Sequence, residues 1–70
     1  MVNLELLKSR IKDSGMTITA ICDKSGILRQ TLYRRFSNPN FTIDEIDALT
    51  KTLHISQRDI TKIFFAKRAI

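Results

Sequence analysis

Arg29, Gln30 and Arg34 stand close together in the chain and carry the side chains best suited to specific chemistry. A guanidinium is a planar fork of donors, and a primary amide sets a donor beside an acceptor. Each can make two parallel hydrogen bonds to the edge of a base, arginine to guanine and glutamine to adenine. Arg34 also has the reach to end at a phosphate. Leu28, just ahead of them, has two open readings: packing inward, or meeting a thymine methyl in the groove. Thr17, Thr19, Thr31, Tyr33 and Lys24 supply hydroxyl and ammonium donors of the kind that hold a sugar-phosphate backbone. For Tyr33 the plain alternative is an exposed amphipathic aromatic. Arg35 is expected to cover the edge of the core with its stem.

Charge sign is segregated around these residues. No acid occurs between Lys24 and Ile43, and Asp44, Glu45 and Asp47 cluster immediately afterwards. The net charge of +5 favours a polyanionic partner, but many small proteins are basic, and the segregation says more than the total.

The element that must position these groups is the stretch from Thr17 to Phe36. Thr17 can cap a helix over about 18–24, and Ser25-Gly26 ends it. A second helix is predicted over about 28–36, closed by Ser37-Asn38-Pro39-Asn40. Ile21, Ile27, Leu32 and Phe36 are its core candidates. Ahead of it, residues 2–14 carry Leu4, Leu7 and Ile11 at helical spacing, with Asn3 as a cap and Gly15 as a stop. This helix is expected to lie across the back of the reading unit. Thr42 to Glu45 fits a capping box for a helix at about 43–53, with Ile43, Ile46, Leu49 and Leu53 on its apolar face. Ser56 to Asp59 is a second capping-box candidate, for a helix at about 57–67 faced by Ile60, Ile63 and Phe64. The pattern contains five helices and no strand, so an all-α chain forming a single domain over residues 1–70 is expected.

Seventy residues, 43% of them hydrophobic, suffice for one small core. A lone Cys22 and a lone His54 exclude an intramolecular disulfide and leave no set of metal ligands. Cys22 reads as a small buried thiol, and His54 as a helix-end residue. No catalytic triad or glycine-rich phosphate loop accompanies them, so neither an enzyme nor a cofactor is expected. No apolar run is long enough to span a bilayer, and no signal-peptide pattern opens the chain. A soluble protein of a bacterial cytoplasm is the expectation.

The order of these signals resembles the lambda-repressor-like, Cro/repressor-type helix-turn-helix family of phages and bacteria. The resemblance runs from about Leu4 to Phe64. It is carried by Gly15-Met16-Thr17, by Ile21 through Ile27 across the turn, by Thr31-Leu32-Tyr33-Arg34, by Phe41 to Ile46, and by Leu53-His54-Ile55-Ser56. In size the chain is most similar to the small early regulators of temperate phages. The resemblance implies a compact five-helix DNA-binding domain, with the helix-turn-helix at about 17–36 and base contacts at Arg29, Gln30 and Arg34. The chain also departs from the pattern. Ile18 stands where members often carry a phosphate-holding glutamine, Ser25 replaces an apolar residue before the turn glycine, and Leu28 stands where a serine or threonine usually caps the reader helix.

Adjacent residues on a helix point about 100° apart, so one core rarely buries both Phe64 and Phe65. One of them is expected in the core. The other, with Ile63 or Ile70, is free to form a weak homodimer contact for binding a palindromic or pseudo-palindromic operator. The leading functional reading is a sequence-specific regulator that binds double-stranded DNA and represses by occupying an operator. The alternative is a protein-interaction module, such as an antirepressor or antitoxin, working through the C-terminal patch.

Overall fold

The computed structural model describes residues 2–66, which form α1 (Leu4–Asp13), α2 (Ile18–Ser25), α3 (Arg29–Ser37), α4 (Ile43–Leu53) and α5 (Gln57–Phe64). Short polar punctuation sets the helix starts. Asn3, Thr17, Thr42 and Ser56 each adopt an extended backbone and accept, through the side chain, a hydrogen bond from an N–H in the first turn of the helix that follows. The Thr42 box is complete, because Glu45 Oε1 accepts the Thr42 N–H in return at 2.9 Å. At Ser56 only half the box forms. Ser56 Oγ accepts the Asp59 N–H, while the Asp59 carboxylate turns to Arg10 of α1 at 3.4 Å.

Left-handed residues set several of the ends. Gly26, at φ 77°, closes α2, and its N–H donates to the Cys22 carbonyl. Gly15, at φ 71°, stands just beyond Ser14, the C-cap of α1. His54 closes α4 at φ 53°, a conformation in which histidine is enriched among non-glycine residues.

All five helices contribute to one apolar cluster: Leu7 and Ile11 from α1, Ile21 and Cys22 from α2, Leu32 from α3, Leu49 and Leu53 from α4, and Ile63 and Phe64 from α5. Ile27 and Ile55, in the connecting turns, complete it. Each large aliphatic side chain buried here contributes about 1.5–3 kcal/mol. Within this arrangement α2 packs on both α3 and α4, and α1 pairs with α5. The last pairing is tightened by the Asn3 N–H, which donates to the Ile63 carbonyl at 2.6 Å. α1 also reaches the reading unit, since Lys8 Nζ sits 5.5 Å above the Phe36 ring. The loop after α3 is pinned by Phe41, whose ring meets Phe64 edge-on at 5.5 Å.

Four expectations need correction. α1 is shorter than the 2–14 pattern. α5 ends at Phe64 rather than near 67, because Phe65 leaves the helical region (φ −126°, ψ 36°). The apolar stripe that would hold a further turn ends there, with Lys67 in the next register position. Ile43 does not belong to the apolar face of α4, being 71% exposed. It lies about 120° around the helix from Leu49, outside the buried arc. Finally, α3 begins at Arg29, and Leu28 takes the extended cap position instead of the first helical one.

Truncating Leu49, which is fully buried, to alanine is expected to cost about 2–5 kcal/mol in denaturant titration. Ile43→Ser should change stability by no more than about 0.5 kcal/mol, as surface positions do.

Candidate nucleic-acid interface

α3 has two unlike faces. Leu32 is fully buried and Phe36 half-buried on one side, while Arg29, Gln30, Tyr33, Arg34 and Ser37 are exposed. At about 100° per residue, those five occupy an arc of about 140°. The helix is held from beneath by Leu32 and from its start by Ile27 in the turn, both packed in the common core. Ser25 contributes to that turn, its Oγ accepting the Ile27 N–H at 3.2 Å. The Ser25 hydroxyl thus braces the backbone of the turn.

The structure brings the predicted contact residues onto this side unevenly. Arg29, Gln30 and Arg34 are exposed on one helix, and Leu28 precedes them at 72% exposure, so its inward reading is excluded. Leu28 has no side-chain acceptor to cap α3. Tyr33 is half exposed and packs edge-on against Phe36, with ring centroids 6.0 Å apart. Thr31 is only partly exposed and lines a shallow groove with Leu28, Gly26 and Asp44. Thr17 and Thr19 are exposed around the start of α2. Thr17 Oγ1 already accepts the Ala20 N–H, which leaves its hydroxyl proton free to donate outward. Ile18 packs against the core and offers no polar group at its position. Lys24 is exposed near Lys51 and His54, in a separate depression from the one beside Leu28.

Of the C-terminal residues, Ile63 is fully buried and Phe64 is 2% exposed, so both belong to the core and neither is a surface contact. Phe65 is 50% exposed and borders a groove with Asn3, Leu6, Thr61, Lys62 and Ala66. Ile70 lies outside the described residues. Among those residues, no helix is long and apolar enough to cross a membrane.

A family model described as a Cro/C1-type HTH DNA-binding domain matches residues 6–66. Neither a curated protein nor a solved structure matches the chain.

One polar contact beside the interface went unread in the sequence. Arg35 donates from Nε to Glu45 Oε1 at 2.9 Å and from a terminal nitrogen to Glu45 Oε2 at 3.3 Å. Its side chain and that of Glu45 are 20% and 14% exposed. The signals available were an arginine off the exposed arc of α3 and an acid at the third position of α4. Burial pushes the Glu45 carboxyl upward, but hydrogen bonds from Arg35 and Thr42 outweigh it and hold the group below the ordinary carboxylate range. Burial likewise pushes the Cys22 thiol up, against the opposing pull of Arg29.

For a carboxylate whose folded pKa is depressed, the linked stability is present above the unfolded pKa and lost as pH falls through the folded one. Acid titration of thermal stability should therefore show a loss below the ordinary glutamate pKa. Glu45→Gln should flatten that part of the profile, and an unchanged profile would show that the pair contributes nothing.

Proposed function

We infer function from one premise: the chain belongs to the Cro/C1-type HTH DNA-binding domain family. It is a DNA-binding regulator domain, and its partner is double-stranded DNA. We propose further that it reads an operator sequence with Arg29, Gln30 and Arg34, with Leu28 against a thymine methyl. Thr17, Thr19, Thr31, Tyr33 and Lys24 hold the sugar-phosphate backbone in this reading. The single observation that carries it is the exposed arc of α3, where arginine and glutamine side chains share one face without an acid among them. An acidic or apolar arc would have favoured a protein partner instead.

Occupying an operator that overlaps a promoter is the simplest way for such a domain to act, so we assign it as a repressor working in a bacterial cytoplasm. One reader helix covers only a few base pairs, too few to mark a unique genomic site. Two copies on half-sites about 34 Å apart would supply the missing specificity. Phe65 is the residue exposed for that contact, beside the apolar edge formed by Leu6 and Ala66. The dimer is expected to be weak and to tighten on a palindromic site.

The preferred site is found by selecting bound duplexes from a random pool. On that site Arg29→Ala or Gln30→Ala should lose about 1–3 kcal/mol and relax preference at one base pair. Equal losses on every sequence would reassign the residue to the backbone. Lys24→Ala should weaken all sequences alike. Phe65→Ser should keep the melting temperature but abolish cooperative binding to the palindrome, whereas Phe64→Ser should unfold the domain at lower temperature. Independent binding of two wild-type monomers would exclude the dimer.

A further inference from the structure

Phe36 connects α1 to the reading face. It lies about 20° round α3 from Arg29, just outside the exposed arc, and is half-buried. Its ring meets Tyr33 edge-on, with centroids 6.0 Å apart. From α1, the Lys8 ammonium sits 5.5 Å from the centroid of the same ring. One ring therefore carries a lysine from α1 and a tyrosine from the exposed arc of α3. Lys8 is exposed, and no carboxylate among the described residues pairs with it, since the ion pairs there are Arg10–Asp59, Arg35–Glu45 and Lys51–Asp47. An ammonium has three N–H donors, and a ring face meets it from one side only. Lys8 thus keeps donors for a second, anionic partner.

Its position says which partner. A helix with its side chains is about 10–12 Å across, and the major groove is about 12 Å wide. A reader helix fills that groove, so the middle of its exposed arc meets base edges and the margins of the arc meet the sugar-phosphate walls. Base contacts come from the N-terminal part of such a helix. Phe36 stands in the last turn of α3, at the Arg29 margin of the arc. The ammonium over its ring therefore lies beside a wall of the groove and away from the floor.

We propose that Lys8 is a further DNA-backbone contact, donating to a phosphate on the wall that Tyr33 also meets, with Phe36 as the positioning residue for both. α1 then belongs to the interface and is more than a support behind it. This assignment rests on the DNA-reading function proposed above.

The test measures salt dependence of binding to random duplex and to the selected operator for the full chain, Lys8→Met, Lys8→Arg and Lys62→Met. Lys62, exposed on α5 beside Phe65, controls for the loss of one positive charge away from α3. Lys8→Met keeps an apolar stem over the ring. Its log–log salt slope on random duplex should become shallower by about 0.9, the signature of one lost phosphate contact. Both duplexes should bind several-fold more weakly at low salt, with the ratio of operator to random binding unchanged, because a phosphate carries no sequence information. Lys8→Arg should restore the wild-type slope, and Lys62→Met should leave it in place. Ethylating the operator phosphates one at a time should reveal one whose modification weakens the wild type but not Lys8→Met.

An unchanged slope in Lys8→Met would overturn the proposal, and a lowered melting temperature beside it would reduce Lys8 to a cover for the ring. An equal change of slope in Lys62→Met would overturn it too, by tracing the effect to net charge. Wild-type protein that bound no duplex would sink the DNA-reading function together with this contact, while the variant outcomes alone leave that function standing.

Discussion

None of the five described helices is long enough to hold itself. The longest, α4, has 11 residues, and α2 and α5 have 8 each. Isolated helices of such lengths are marginal in water, because nucleation costs more than a few turns return. α2 is further weakened by the β-branched Ile18, Thr19 and Ile21. Everything therefore depends on one shared apolar cluster to which every helix contributes. The reader helix is the extreme case, since Leu32 is its one fully enclosed side chain and its cap residue offers no acceptor. Its direction is set by what it rests on, not by its own propensity.

That dependence explains the placement of the polar contacts. Hydrogen bonds from Asn3, Thr17, Thr42 and Ser56 fix where helices begin, at sites the core does not reach. The Arg10–Asp59 and Arg35–Glu45 pairs join helices that are distant or adjacent in sequence. They differ in worth. The first is long and about a third exposed, so solvent screens it, whereas the second is short, two-pronged and largely shielded. The exposed Lys51–Asp47 pair, within one helix, adds less still.

Helix number, order and most of the core were readable in advance, because apolar spacing and cap residues are local signals. Leu7, Ile21, Leu32, Leu49 and Ile63 all fall where periodicity places them, and all are fully buried. What escaped reading depends on neighbours far along the chain. Ile43 has the residue type and approximate spacing of a core position, yet no described residue packs over that side of the first turn of α4. The choice between Phe64 and Phe65 needed the position of Phe41, which meets the first of them. Arg35 was separable from Arg34 as a stem at the core edge, but its pairing with Glu45 depends on an approach across the loop that no local signal carries. Exposure of the arc on α3 was legible from its lack of acids and apolar residues. Which atoms of a duplex each side chain would meet is not written in the free chain.

The hydrogen bond between Asn3 and Ile63 has a consequence for how the molecule assembles. α2, α3 and α4 are joined by short connections, so their mutual contacts close small loops. Pairing α1 with α5 closes nearly the whole described chain at once, and the entropy lost in such a closure grows with the length enclosed. The cost is best met after the middle helices have already gathered, when their surface offers both end helices a place to dock. The terminal pair then acts as a late latch. Substitutions confined to it bear on how fast the fold is lost more than on how fast it is gained.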